Sequence, residues 1–339
     1  MYHITIKDIA RQLNVSVSTV SRAFNNKSDI KKETKELILH TAKKMGYKPN
    51  PIAKKLIERR SYNIGLVVPE FVNPFFSQVS IGVQEVLAKK GYQLLITQSN
   101  ESYETELLNV KNLENSMVDG IIMSLTRETD NTLYYKELIQ QGLPIVFFNR
   151  VPEKLNATKV IFNDYKWAFF ATEHLIQQGC KNIVHLKGIS ASQTISSERS
   201  RGYKDAMKKH KLSLNQNQII STGFTINDGK RVAELMIKNN QIPDGIFAIN
   251  DDVAIGAMTV FKTHGYKIPK DIAFVGFTES KIAPIMEPPL TSVIQPTCEI
   301  GIEVAKLIIH QIENENNYTP QTITLNGQLN IRASSLRNI

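Results

Sequence analysis

From Asn63 onward the chain alternates short apolar runs with helix-length amphipathic stretches, and it does so twice with the same punctuation. Asp119-Gly120-Ile121-Ile122 is echoed by Asp244-Gly245-Ile246-Phe247. A helix, Gly142, Pro144 and Ile145-Val146-Phe147-Phe148 are echoed by a helix, Gly265, Pro269 and Ile272-Ala273-Phe274-Val275. A strand covered on both faces reads as an unbroken apolar run, and strands alternating with helices pair in parallel through helical crossovers. The first series has strands at 63–68, 93–97, 119–123 and 144–148, with helices to Gly91, Asn115 and Gln141 between them. The second starts at Asn182–Leu186 and continues through helices ending near His210 and Asn240. A duplicated α/β lobe gives two Rossmann-like sheets facing a cleft beyond the strand ends, where ligands bind.

The 339 residues, 42% of them hydrophobic, suffice for two or three domains with real cores. No apolar run approaches the roughly 20 residues that span a bilayer. Met1–Arg11 carries charges and no apolar signal region, so the expectation is a cytoplasmic, nucleoid-associated protein with no membrane partner. Cys180 and Cys298 lie far apart and offer neither a metal spacing nor a disulfide framework. Charge is more telling. Residues 1–60 hold 14 Lys+Arg against 5 Asp+Glu, and residues 61–339 hold 27 of each, so the whole net charge of +9 sits in the first segment. A basic segment on a neutral body is the electrostatic footprint of a nucleic-acid-binding head.

Within that segment Ile6, Ile9, Ala10 and Leu13 repeat at helical spacing, and Thr5 with Asp8 makes a capping-box pattern. A break at Asn14-Val15-Ser16 leads to a second helix, Val17 to about Asn25, with Val20, Ala23 and Phe24 inward. A third runs from about Lys32 to Met45, with Leu37, Ile38, Ala42 and Met45 on one side, and Gly46 ends it. Two short helices, a tight turn and a buttressing helix form a helix-turn-helix unit, whose second helix presents its side chains to the major groove. Val17, Ser18 and Arg22 are the candidate base readers, Arg22 through a bidentate contact to guanine. Thr5, Ser16, Thr19, Ser21 and Asn25 are short hydrogen-bonding groups suited to the DNA backbone.

The runs ITIKDIARQLNVSVSTVSRAFNN and GYKPNPIAKKL resemble the head of LacI/GalR-family repressors, and the resemblance extends over essentially the whole chain. Ile30-Lys31 departs from the Val-Ser that often caps the third helix in that family. The resemblance implies a small all-α head at 1–48, a hinge at 49–60 and a periplasmic-binding-protein-like core at 61–339. It also implies that the lobes exchange strands, with lobe 1 at about 61–162 plus 293–322 and lobe 2 at about 163–292 plus 323–339. In the hinge, Leu56 takes the place of the leucine that wedges into the minor groove, with Ala53 beside it. Taken alone, 50–60 reads as a basic linker.

The resemblance also places candidate effector contacts at strand ends: Phe75, Asn149, Asp164, Arg199, Phe224, Asn250 and Thr278. An aromatic face, a fork-shaped donor and amide or carboxylate partners suit a sugar or related metabolite. Phe75 also reads as core, and Arg199 as a surface ion pair. After the strand Phe274–Phe277 the family usually has Asp; Thr278 puts a neutral hydroxyl there. No nucleophile motif, phosphate loop or metal-ligand spacing occurs, and Asp251-Asp252 reads as a helix-start carboxylate pair. His174 and His185 stand apart. The expectation is therefore a homodimeric, non-enzymatic regulator without cofactor or metal. It would act as a repressor on a near-palindromic operator, its affinity set by a small molecule in the cleft. The chain ends without leucine heptads, so no tetramer-forming tail is expected. The competing readings are a sugar-binding protein or enzyme with a vestigial head, and a nonspecific nucleoid protein.

Overall fold

The computed structural model describes residues 4–24, 30–47, 60–72, 74–189, 194–314 and 317–337. Asn25, Ala53 and Leu56 lie outside them. The chain divides into two compact units, Met1–Ser61 and Tyr62–Ile339.

The first unit holds α1 (Ile6–Leu13), α2 (Val17–Phe24) and α3 (Lys32–Lys44). At the start of α1 the Asp8 carboxylate accepts the Thr5 N–H (2.9 Å) and hydroxyl (2.7 Å). These bonds hold the Asp8 carboxyl below its ordinary value. Asn14 turns left-handed at φ 51°, and the Val15 N–H reaches back to the Ala10 carbonyl. Gly46 does the same for α3 at φ +71°, with Tyr47 N–H donating to Ala42; both are helix-ending motifs that satisfy orphan carbonyls. The core is Ile9, Ala10, Val20, Ala23, Ile38 and Ala42, flanked by Phe24, Met45 and Tyr47. Leu37 corrects the helical-face reading: it is 54% exposed. Ile38 and Ala42, four apart, already fill the space against α1 and α2, and Leu37 lies about 100° away on the helix.

The second unit holds two α/β lobes. Lobe 1 begins with β1 (Asn63–Val68), α4 (Pro74–Lys89), β2 (Gln93–Gln98) and α5 (Tyr103–Asn115). It continues through β3 (Gly120–Met123), α6 (Leu133–Gln140), β4 (Ile145–Phe148) and β5 (Thr158–Phe162). Lobe 2 follows with α7 (Asp164–Gln177), β6 (Ile183–Gly188), α8 (Thr194–Lys209), β7 (Ile219–Thr222) and α9 (Ile226–Lys238). Then come β8 (Gly245–Ala248), α10 (Asp251–Thr263), β9 (Ala273–Phe277) and β10 (Thr291–Ile294). The chain returns to lobe 1 for α11 (Thr297–Glu313) and β11 (Thr322–Leu325), and closes with β12 (Gln328–Asn330) in lobe 2.

The two sheets have one topology. Sheet order is β2-β1-β3-β4-β5-β11 in lobe 1 and β7-β6-β8-β9-β10-β12 in lobe 2, with only β12 antiparallel. The repeated Asp-Gly has a repeated role. Asp119 accepts the Tyr62 N–H at 2.9 Å. Asp244 accepts the N–H groups of Lys181 and Asn182 at 2.8 and 2.9 Å. Each carboxylate thus fixes where the first strand of its lobe enters the sheet. The lobes exchange strands slightly later than the expected boundaries of 293 and 323. Val293 and Ile294 stay paired in the second sheet, and Ile323–Leu325 pair with β5 in the first. The sequence reading has no counterpart for β5 and α7, because Lys159 interrupts the apolar run; its ammonium reaches the Glu153 carbonyl at 3.1 Å instead of water.

α11 closes lobe 1: Ile300, Val304, Ala305, Leu307, Ile308, Ile309 and Ile312 join Ile64, Leu66, Phe76 and Val146 in one core. Full burial of a branched aliphatic side chain contributes about 1.5–3 kcal/mol, so this late helix carries much of that lobe's stability. Asp244→Ala leaves two strand-entry N–H groups without their acceptor. It is expected to lower unfolding free energy by about 1–3 kcal/mol, read from urea unfolding of the full chain. An unchanged midpoint would remove the strand-entry role.

Candidate functional site

In the first unit, α2 turns Val20 and Ala23 inward and leaves Val17, Ser18 and Arg22 exposed. Ser18 and Arg22 are four residues apart and share a face. Ser16 caps the helix: its Oγ accepts the Thr19 N–H at 3.0 Å and lies 2.7 Å from both Ser18 Oγ and Thr19 Oγ1. Ser16 and Thr19, predicted as backbone contacts, therefore also form the turn. Thr5 and Ser16 are exposed, and Thr19 and Ser21 half-buried.

In the second unit the order of each sheet reverses beside its first strand, and such switch points leave a crevice at the carboxyl ends of the strands. The pocket lies there, a cleft with about 520 Å³ of empty space including its open mouth. Its lining follows strand ends one by one. From lobe 1 come Phe75 and Phe76 after β1, and Asn149 and Arg150 after β4. From lobe 2 come Ile195, Ser196 and Arg199 after β6, then Phe224, Ile249, Asn250 and Thr278 after β7, β8 and β9. Gln295 follows β10 where the chain crosses between lobes.

Six of the seven predicted contacts meet here. The seventh, Asp164, stands behind Arg199 and holds it. Its Oδ1 accepts from Arg199 Nε at 2.8 Å and stands 2.8 Å from Nη2, while Nη1 donates to the Ile249 carbonyl. The guanidinium lies 3.5 Å from the Phe277 ring centroid. Arg199 is 4% and Asp164 7% exposed, so the surface ion-pair reading of Arg199 is replaced by a buried one. Burial works against charge on both partners, and their mutual attraction opposes it. Two of the five guanidinium donors make hydrogen bonds to the described residues, and Arg199 still lines the pocket.

Asn250 also serves as scaffold. Its Oδ1 accepts the Val253 N–H (2.9 Å) as cap of α10, and its Nδ2 donates to the Phe224 carbonyl (2.8 Å). Phe224 packs over Gly188, where a Cβ would lie 2.5 Å from the ring. Phe75 and Phe76 are both core and lining, edge to face at 5.2 Å. Asn149 and Thr278 sit at φ 58° and 79°. For a β-branched residue the second value is a strained backbone, costing about 1–3 kcal/mol. Asp251 braces that turn, accepting from Ser280 N–H and Ser292 Oγ, both at 2.6 Å. Its role is thus larger than the helix-start pairing expected of it. His185 is core: it stacks on Phe247 at 4.7 Å, and burial pushes its pKa down to about 3.

Sequence reasoning missed the charged wall of lobe 1. Glu101 lies at φ 60° next to Asn100 at φ 54°. It accepts from Arg150 Nη1 through both oxygens, at 2.7 and 2.8 Å. It also accepts the Arg127 N–H at 3.0 Å and stands 3.3 Å from Arg127 Nε. Despite burial, the two arginines hold its carboxyl below the ordinary value. Arg127 in turn lies over the Phe224 ring of the other lobe, 5.0 Å from its centroid. Its loop is tied down by buried Glu106, which accepts from Thr126 N–H (2.6 Å) and the Thr129 hydroxyl (2.9 Å). Nothing in a loop glutamate or arginine marks such a network. Gln295 carried one signal, its place between an apolar run and Pro296. Among the described residues, no group of three or more His, Cys, Asp or Glu side chains could hold a metal. No helix of theirs is long and apolar enough to cross a membrane.

Burial pushes the Asp251 carboxyl up to about 7 against its two hydrogen bonds. The folded state therefore binds a proton that the unfolded chain has released, so this group's stabilisation is present at low pH and is lost as pH rises through about 7. The stability of the wild type relative to Asp251→Asn is expected to fall between about pH 4 and 7. Denaturant melts of both proteins across that range check it; a constant difference would contradict the assignment.

Residues 5–50 match the family described as bacterial regulatory proteins, lacI family. Residues 61–331 match periplasmic binding proteins and sugar binding domain of LacI family. The ribose operon repressor of Halalkalibacterium halodurans is 34% identical over 92% of this chain and 91% of its own. The transcriptional repressor PurR of Vibrio atlanticus is 30% identical over 92% and 93%. A solved transcriptional regulator CelR–cellobiose complex superimposes with a TM-score of 0.74 at 27% identity, covering 98% of this chain and all of that one. With both segments matched, a basic three-helix head and a two-lobed cleft, this chain belongs to the LacI family of DNA-binding transcription regulators.

Proposed function

We propose that the chain is a repressor that reads a near-palindromic operator as a homodimer. Val17, Ser18 and Arg22 would meet base edges, and Thr5, Ser16, Thr19, Ser21 and Asn25 the backbone. The hinge residues Ala53 and Leu56 would enter the minor groove. A small molecule in the cleft, touching Phe75, Asn149, Arg199, Phe224, Asn250 and Thr278, would set operator affinity. Asp164 contributes through Arg199. Ligand contacts come from both lobes, so a ligand's differential affinity for two lobe arrangements can bias the equilibrium that the heads report. No chemical step is assigned to the cleft, and the protein works in the cytoplasm.

The observation that carries this reading is the exposed row Val17, Ser18 and Arg22 on a capped α2 in the basic unit. A vestigial head would have no reason to keep it. A selection from a random duplex pool with the full-length protein is expected to recover a near-palindrome. Arg22→Ala is then expected to cost about 1–3 kcal/mol on that sequence and less on random DNA. Equal losses on both would point to a nonspecific binder. Binding by the wild type should also weaken steeply with salt.

A further inference from the structure

The pocket lining contains two guanidiniums, from Arg150 and Arg199, and no carboxylate. At the end of β9 Thr278 offers a hydroxyl, and Asn149 ends β4 with an amide. Gln295 lines the pocket and is 5% exposed, and its Nε2, itself buried, has no hydrogen-bond partner among the described residues. A buried donor left unmade costs free energy that a ligand acceptor would recover once the amide turns toward it. On the adjoining wall, Arg127 and Arg150 share the single carboxylate of Glu101. Arg150 Nε and Nη2 make no hydrogen bond to the described residues. Glu70 is a further carboxylate on that side, outside the lining, and burial and the charge of Glu101 hold its pKa up. Asp251, Asp252 and Glu279 line the adjoining pocket that shares Asn250 and Thr278.

A neutral polyol brings as many hydroxyl protons to place as oxygens, and in this lining only amide and hydroxyl oxygens can take them. Two guanidiniums without a lining carboxylate suit a group that only accepts. We infer that the molecule bound in this cleft carries an anionic group, a phosphate or a carboxylate, held by Arg150 and Gln295 with Arg127 beside it. The inference rests on the cleft being the effector site. Arg127 adds specificity from the loop that Glu106 fixes, and its position over Phe224 links the anion's site to the opposite lobe. A guanidinium fork matches either anion in two parallel hydrogen bonds.

Calorimetric titration of the full chain tests this with an aldopentose, its 5-phosphate, an aldohexose, its 6-phosphate, the corresponding aldonate, and inorganic phosphate. At least one anionic compound is expected to bind tenfold or more tightly than its neutral parent and than inorganic phosphate. The phosphate and aldonate arms tell the two anions apart. Arg127→Gln, at a partly exposed position, is expected to weaken that compound about tenfold with the melting temperature unchanged. Thr278→Asp is expected to shift preference toward the neutral parent. Neutral parents binding as tightly as the anions, no compound binding, or anion affinity indifferent to both substitutions would each overturn the inference. Operator titrations separate it from the regulatory reading: anion binding with unaltered operator affinity overturns that reading alone. A neutral sugar that alters operator affinity overturns the inference alone.

Discussion

A guanidinium removed from water must be partnered, and Arg199 is held from three directions. Asp164 at the first turn of α7, the Ile249 carbonyl at the end of β8 and the Phe277 ring at the end of β9 enclose it. Breaking one partner of a buried pair leaves an uncompensated charge, which costs about 3–5 kcal/mol. That penalty fixes the relative placement of two strand ends and two helices in lobe 2. The pair's value is therefore geometric: it holds the pocket floor so that Phe224, Asn250 and Thr278 stand at set positions around it.

The same logic runs through the cleft. Several charged or polar side chains near it are restrained by a partner behind the surface: Asn250 by Val253 and Phe224, Asp251 by Ser280 and Ser292, Arg150 and Arg127 by Glu101. Sites held this way lose little side-chain entropy when a ligand arrives. The backbone contributes as well. Asn149, Thr278, Asn100 and Glu101 all take positive φ, and such conformations persist where the surroundings over-determine them.

Most of the architecture was legible because it is written in local pattern. Apolar runs gave the sheet strands, the Asp119-Gly120 and Asp244-Gly245 echoes gave the duplication, and Thr5–Asp8, Asn14 and Gly46 gave the head its helix limits. Lys159 hid β5, since a charged residue in a run argues against a buried strand unless its ammonium can reach an acceptor, as it does at Glu153. Leu37 misled because a helical face is broad and only tertiary packing decides which edge is covered. In the cleft, residues at strand ends were placed by resemblance, and six of the seven line one pocket. Asp164 could not be told from a ligand contact, because the sequence does not reveal that Arg199 stands in front of it. Glu101 and Arg127 were invisible for a similar reason: their partners are distant in sequence and meet only once the sheet is built.

The exchange of strands between lobes also has a consequence in time. The core of lobe 1 draws seven of its buried side chains from α11, and its outer strand is β11. On a ribosome, residues 63–162 emerge early with one sheet face covered only by α4, and the second helix that completes it arrives only after nearly all of lobe 2 has been made. Domains that are contiguous in sequence can fold as they appear; this lobe must wait for the other. A nascent chain stalled before Thr297 therefore presents a half-covered apolar sheet, and the two lobes reach completion almost together.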